Sequence, residues 1–439
     1  MSRMSRELNA ASIGVGGGIG PTHARIIEED PSVKFVAVSE TNVDNSNPAG
    51  AKNKETIDRL SQLGTRHYLD YREMLEKEDI DVLTIAVPHF LHYQIAMDAL
   101  ERGIHVFCEK PVTVTYDGGL KLLDASRKHD RLVSVNYEYL ASGSTTDLLT
   151  ARRNGFFGEN LRIVGTGLWT RTNQYYDRAN WAGQVRVGDR WGFDGIWENQ
   201  LAHLIEQALR VASPDGVPNV KTVSADLFRG HSAEYLELAD TSCLQLNVGG
   251  IPITLYGTTC HAQDNNLSLI VIGDKGCAAW TYASLDCINK DRERSTCDYG
   301  TESVPMTRQM YKNFLAQVRG EDVKPLVTLE EAIECARVTN LAYMSSDYGI
   351  EQVPRRYLRQ PNSSETGGKT ANSVGQDGDK LLLHDPETEM TIAQTTVDAI
   401  LQGGLMYSET EYFPFLTAPK LVNAEEIAQF DPNCLIQSH

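Results

Sequence analysis

The stretch CEKPVT, residues 108–113, drives the apolar run IHVF straight into Glu109, Lys110 and Pro111. Pro111 stops the strand, so the chain delivers a carboxylate and a cation together at a strand end. A second candidate lies in WENQLAHLIEQAL, where His203 follows Asn199 by four residues. Imidazole titrates near neutral pH and can accept a hydroxyl proton. A helical spacing of four sets both side chains on one face. Trp197, Leu201, Leu204 and Ala208 occupy roughly the opposite face and read as core, so Asn199, His203 and Glu206 are expected to point away from it. Each feature has a plainer reading: a surface ion pair at 109–110, and a solvated polar face on the helix.

A third group is the glycine run GVGGGIGPTHA, which follows a strand and opens a helix. Free N–H groups at a helix N-terminus hold a dinucleotide's pyrophosphate, and glycines let the backbone approach it. Gly14, Gly16 and Gly20 match G-x-G-x-x-G only with one glycine inserted; Gly18 and Ile19 complete the turn. The strand VKFVAVSE ends in Glu40, about 20 residues further on, where a carboxylate accepts both ribose hydroxyls of NAD and repels the 2′-phosphate of NADP. The plainer readings are a flexible glycine loop and a solvated strand end.

These residues need a frame that brings strand ends together. Through about residue 140, strand and helix signals alternate: ASIGVGGG, THARIIEED, VKFVAVSE, TIDRLSQLG, DVLTIAVP, LHYQIAMDALERG, IHVFCEKP and LVSVNYEY. That alternation predicts a doubly wound parallel sheet of Rossmann type over residues 8–140. Ligands of such sheets lie beyond the carboxyl ends of the strands. Glu109 and Lys110 would emerge there, as would Pro88 and His92 of AVPHFLH, and Asn136 and Tyr137 of VNYEY. Residues 141–358 read as an α+β domain with a large, mostly antiparallel open sheet, from LRIVGTGLWT to CAAWTYA, with two helices set among the strands. Two helices leave apolar strands uncovered, which predicts a homo-oligomer, a homodimer or homotetramer, built on that sheet. Residues 359–380, rich in Gly, Ser and Asn, read as a linker or long loop. Residues 381–439 regain apolar content and are expected to pack back on the body.

Composition excludes several classes. The net charge is −18 and the pI about 5.1, which argues against a broad nucleic-acid or anionic-membrane surface. No apolar run approaches the ~18 residues that span a bilayer. The eight cysteines form no C-x-x-C pair, and no His/Cys spacing supports a zinc site; reduced thiols in a cytoplasmic protein are expected.

Taken in order, the glycine turn with THA, VAVSE, AVPHFLHYQIAMDAL, CEKPVT, VNYEY and ARRNGFFGE resemble the Gfo/Idh/MocA oxidoreductases, over roughly residues 10–350. Glu-Lys-Pro is the most specific element. The resemblance implies a Rossmann domain bearing NAD and a second domain whose sheet builds the oligomer. It implies that Lys110 lies beside the nicotinamide and the substrate hydroxyls, with Pro111 fixing the turn that aims it. It also aligns His203 with the family's helical His, as the base that takes a hydroxyl proton, and puts Asn199 where Asp is usual. The aromatic loop RTNQYYDRANWAG, with Tyr176, Arg178 and Trp181, suits a sugar ring, or else is a packed loop or oligomer contact. Three functions remain open at this level: an NAD-dependent dehydrogenase or reductase of a sugar, polyol or sugar acid; a redox-neutral enzyme that oxidises a sugar transiently to eliminate a glycosidic bond; and a non-catalytic sugar or dinucleotide sensor.

Overall fold

In the computed structural model, the residues described are 7–231, 236–261, 264–352, 406–409 and 416–437. The expected linker at 359–380 lies outside them, as do residues 381–405, 410–415 and 438–439 of the expected extension at 381–439. The chain divides into two compact units, Met1–Ala141 with Glu302–Ile333, and Ser142–Thr301 with Glu334–His439.

The first unit is built on six parallel strands, β1 (Leu8–Ile13), β2 (Val33–Ser39), β3 (Arg66–Tyr68), β4 (Val82–Ile85), β5 (His105–Glu109) and β6 (Val133–Asn136), in the order β3-β2-β1-β4-β5-β6. Helices α1 (Gly20–Glu28), α2 (Pro48–Gln62), α3 (Tyr71–Lys77), α4 (His92–Glu101) and α5 (Tyr116–His129) connect them. β4 and β6 are buried throughout, as strands covered on both faces must be. The strand order reverses between β1 and β4, and this switch point is where doubly wound sheets bind ligands. One element was not expected from the sequence. The helix Ser303–Val318 belongs to this unit, so the stretch assigned to a second domain over 141–358 is interrupted. Its Met306, Met310, Tyr311, Phe314 and Leu315 recur at helical spacing and are buried. The rings of Tyr311 and Phe314 lie 5.4 and 5.6 Å from that of Phe107 on β5.

The second unit opens with α6 (Gly143–Arg153), β7 (Arg162–Leu168), α7 (Asn173–Tyr176) and the short hairpin β8 (Arg186–Val187) and β9 (Arg190–Trp191). A π-turn at Ile196–Gln200 leads into α8 (Ala202–Ala212). Then come β10 (Val220–Arg229), β11 (Thr241–Val248), β12 (Ile251–Thr258), β13 (Ser268–Ile272), β14 (Gly276–Thr281), β15 (Ser284–Asn289) and β16 (Arg294–Asp298). With the short β17 (Glu351–Gln352) and β18 (Val422–Asn423), they form a ten-stranded sheet among the described residues, in the order β16-β15-β14-β13-β7-β12-β11-β10-β17, with β18 beside β10. Its pairings are antiparallel except β7 with β12 and β10 with β17.

One sheet face receives α8. A side-chain carbon on Gly167 or Gly257 would stand 2.6 Å from Leu201, so these glycines let the helix sit down on the strands. The opposite face is shared. Over β10–β12, Tyr407 from the C-terminal extension packs its ring against Phe228 and Tyr256, at 5.6 and 5.7 Å. Over β13–β15, Ile270, Ile272 and Ile288 are 41%, 44% and 39% exposed, and their registers place them on one face. Among the described residues, no helix is long and apolar enough to cross a membrane.

Candidate active site

The glycine turn closes on itself. A side-chain carbon on Gly20 would lie 2.0 Å from the carbonyl oxygen of Gly14, and one on Gly14, at φ +82°, would lie 2.3 Å from that of Ala86. Gly16 is equally constrained by Asn53, a residue of α2 that carries no recognisable sequence signal. Gly17 and Gly18 face open space. The turn therefore presents its backbone to a ligand at the start of α1, past Ile19, which caps the helix. Glu40 sits against it, accepting from the N–H of Gly16 and of Asn42 at 3.0 Å each. Narrow glycine backbone, helix N-terminus and neighbouring carboxylate fit a dinucleotide: pyrophosphate over residues 16–20, ribose at Glu40.

At the end of β5, Glu109 is 9% exposed and accepts from the Asn136 amide, while its Oε1 lies 2.7 Å from His23 Nε2. Desolvation alone would raise the Glu109 pKa. The His23 hydrogen bond and charge, the Asn136 amide and the Lys110 charge outweigh it and hold the carboxyl at about 2. Glu138, two residues beyond Asn136, goes the other way. Desolvation and then the Glu109 charge push it up to about 8, against the opposing charge of Lys110. Two carboxyls thus share one low-dielectric site beside a lysine, one ionised and one protonated at neutral pH. Lys110 is partly buried, and the Lys110–Pro111 peptide is cis. Sequence reasoning missed His23 and Glu138, although both lie in quoted stretches, THA and VNYEY. It also gave His92 and Tyr137 more open settings than they have. Both ring nitrogens of His92 are 2.7 Å from backbone oxygens, of Pro111 and Val87, so the ring ties two loops together. Pro88 precedes the short turn that leads into α4, and Tyr137 is buried.

In the second unit, the segment carrying Asn199 and His203 differs from the expected single helix. Asn199 lies in the π-turn, closed by the N–H of Leu201 donating to Ile196 O at 2.8 Å, and His203 lies in α8. Such turns recur at functional sites because the extra residue re-aims side chains. Trp197, Leu201, Leu204 and Ala208 are core, as expected. His203 and Glu206 do not face solvent. His203 is 6% exposed, and Glu206 accepts from Cys335 of the helix Leu329–Ser345. A second layer of helix covers the polar side, which one-dimensional periodicity cannot register. Glu198, also buried in the turn, has its carboxyl raised to about 7 by desolvation, against hydrogen bonds from Tyr343 and Thr339.

The aromatic loop forms a ladder of alternating rings and guanidinium groups. Arg171 lies 4.8 Å from the ring of Trp169 and 5.0 Å from that of Tyr175; Arg178 lies 3.8 Å from Tyr175 and 4.7 Å from Trp181. Tyr176, expected to line a pocket, is instead 4% exposed with its hydroxyl 3.1 Å from Thr259, and packs with Ala182 and Leu236. Tyr175 is the aromatic at Asn199, accepting from it and from Gln200 at 3.3 and 3.2 Å. Asp194, five residues before Asn199, accepts from its amide at 2.5 Å. The preceding Phe193 has φ +44°, a conformation costing a bulky residue about 1–3 kcal/mol. Packing of its ring against Trp191, Tyr343 and Phe430 holds it there.

Folding also gathers His231, Asp240 and Cys260, all buried, with their donor atoms within 4.8 Å of one another. His231 Nδ1 is only 2.6 Å from Asp240 Oδ2. Ligands of a tetrahedral zinc stand ~3.3 Å apart, so this contact is a hydrogen bond. Burial pushes the Cys260 thiol well up, reinforced by the Asp240 charge.

Residues 8–137 match the profile of an oxidoreductase family with an NAD-binding Rossmann fold. This domain belongs to the Gfo/Idh/MocA family. Over 235 residues the chain is 27% identical to D-glucoside 3-dehydrogenase of Escherichia coli, covering 51% of this chain and 59% of that one. The chain spans about half the length of the curated relatives it matches or less. Two solved structures share the fold at a TM-score of 0.64. The WlbA dehydrogenase from Bordetella pertussis, in complex with NADH and UDP-GlcNAcA, is 21% identical over 78% of this chain and 96% of its own. Levoglucosan dehydrogenase, in complex with NADH and levoglucosan, is 20% identical over 77% of this chain and 97% of its own. The glycine turn and Glu40 lie within the residues that match this NAD-binding family.

Proposed function

We propose that the protein is an NAD-dependent oxidoreductase acting on a hydroxyl-bearing carbon of a sugar, polyol or sugar acid. The observation that carries the reading is the end of β5, where Lys110 follows a Glu109 held by His23 and Asn136 inside a family-matched NAD-binding domain. Bound NAD supplies the hydride acceptor or donor. Lys110 polarises the reacting oxygen and stabilises negative charge on it. Glu109, kept anionic by His23 and Asn136, sets its negative charge beside Lys110. His203 exchanges the hydroxyl proton with the same oxygen. Arg178, Trp181 and Tyr175 hold the ring of the substrate, with Asn199 orienting a hydroxyl. Pro88 and His92 shape the cofactor side, with Tyr137 supporting it from the core, and in the second unit Tyr176 packs against Tyr175 from beneath. The relatives' named substrates, a glucoside and levoglucosan, favour carbohydrate.

The test is incubation of the purified protein with NAD and a panel of sugars and polyols, following absorbance of the reduced cofactor. Net reduction supports a dehydrogenase. Product without net reduction points to transient oxidation with elimination, and neither outcome leaves a sensor. The reading includes a homodimer or homotetramer that covers Ile270, Ile272 and Ile288; light scattering at micromolar concentration that returns a monomer mass removes that part.

A further inference from the structure

We propose that a cavity at the amino end of β2 is a second ligand site, which binds a small hydroxylated anion, a carboxylate or phosphate, through Arg308, Lys312 and Arg319. The proposal stands apart from the oxidoreductase reading. The cavity measures about 330 Å³, at the small end of the range for ligand sites. It lies within the first unit, between residues 29–32 after α1 and the helix Ser303–Val318 with its C-cap Arg319. Ser32, on the cavity wall, leads directly into β2, and the far end of that strand leads into Glu40. Seven strand residues at about 3.3 Å each separate the two ends by roughly 20 Å. The cavity is therefore distinct from the cofactor cradle at the carboxyl end of the sheet.

Arg308, Lys312 and Arg319 recur at intervals of four and seven residues, and Arg319 keeps helical backbone, so three cations share one face. Like charges four apart on a helix repel, and an anion between them offsets that cost. The acidic residues opposite do so only in part. Glu29 pairs with Arg308 at 2.6 Å. Asp30 is taken up by Ser32, its Oδ1 accepting from the N–H and the hydroxyl at 2.9 and 2.5 Å. Lys312 is exposed and has no ion pair among the described residues. The lining thus keeps an excess of positive charge in a chain whose net charge is −18. Arg319 is held ready. Its Nη2 donates to the carbonyl and hydroxyl oxygens of Ser32 at 2.9 and 2.8 Å, while Nε and Nη1 have no hydrogen-bond partner among the described residues. A guanidinium fixed in this way suits a carboxylate or phosphate. The carboxylates of Glu29 and Asp30 add acceptors for hydroxyl groups on the same molecule. The Tyr311 hydroxyl is buried and lacks a hydrogen-bond partner among the described residues. Burial raises its pKa; the charge of Asp30 adds to this and that of Arg319 opposes it, so both cavity residues act on it. An unpaired buried hydroxyl calls for a partner from outside the polypeptide.

The test is calorimetric titration of the full chain with glycerol 3-phosphate, glycerate and glycerol, in native protein and in Lys312→Glu. NADH is kept saturating, which fills the pyrophosphate cradle and leaves no oxidised cofactor to take hydride from an alcohol. At least one of the two anions is expected to bind the native protein with a Kd of about 1 mM or tighter. Lys312→Glu reverses an exposed charge and leaves the fold intact, and it should weaken that binding ~10-fold or more. Glycerol, which lacks the charge, should show no binding that the substitution changes. Tighter binding of glycerol 3-phosphate assigns the site to phosphate, and tighter binding of glycerate assigns it to carboxylate. The proposal is overturned if neither anion binds, or if both bind native protein and Lys312→Glu with the same affinity, since the anion is then held elsewhere.

Discussion

Each unit buries a carboxylate beside its candidate chemistry, and the two are stabilised in opposite ways. Glu109 is matched by charge: the His23 ring, the Lys110 ammonium and one amide. Asp194 accepts from neutral donors, the Asn199 amide and the Gly183 N–H, with Arg178 at 3.5 Å. The charged solution keeps a cation at the end of a strand, where an oxygen can be polarised. The neutral solution fixes the direction of an amide. Burial alone does not tell what a carboxylate does; the chemistry of its partners does.

The comparison can be broken most severely at Glu109. Glu109→Ala removes one member of a buried charged set and should destabilise the protein by about 3–5 kcal/mol in denaturant titration. Asp194→Asn, which keeps an acceptor, should cost about 1 kcal/mol. Equal costs would dissolve the distinction. Next in size, Lys110→Ala and His203→Ala should each lower turnover roughly 100-fold while leaving NAD affinity within a few-fold. The double variant should be little worse than either single one if both serve one oxygen. Near-native turnover in His203→Ala across the pH range would leave His203 a buried structural residue.

Glu198 and Glu138 sharpen the comparison through pH. Their folded-state pKa values, about 7 and about 8, lie above the unfolded value of 4.5. The folded protein holds the extra protons, so stability falls as pH rises from 4.5 through these values. Glu109 acts in reverse. Its stabilising contribution is present above 4.5 and is lost as pH falls toward about 2. Glu198→Gln should flatten the neutral-range loss by on the order of 3 kcal/mol; an unchanged stability profile would show that Glu198 ionises freely in the fold. A smaller effect on cofactor choice is expected at Glu40. Glu40→Ser should narrow the preference for NAD over NADP by about ten-fold, some 1.4 kcal/mol, in binding titrations. Equal affinity of the native protein for both cofactors would remove Glu40 from that role.

Much was legible in the chain. Local patterns encode local elements, and the alternation of apolar strands with amphipathic helices up to residue 140 needs no tertiary information. The glycine turn, Glu40 and Glu-Lys-Pro are likewise local, because phosphate binding and strand termination are backbone properties of a few neighbouring residues. Other features had no local signature. The helix Ser303–Val318 reads as any amphipathic helix, and only its packing on Phe107 assigns it to the first unit. His203 and Glu206 look solvated by periodicity and are buried, Glu206 against Cys335 of the helix Leu329–Ser345. Tyr175 and Tyr176 are adjacent and chemically identical, yet one bonds Asn199 and the other sits in the core.

The sequence by itself determined the Rossmann topology, the cofactor class and the cation at the end of β5, since each follows from residue types at short spacing. Tertiary structure alone decided which carboxyls are ionised, that α8 is buried on every side and which way the Asn199 amide points. Those properties depend on desolvation and on partners brought from elsewhere in the chain, and electrostatic energy in a low-dielectric interior is set by distances in space.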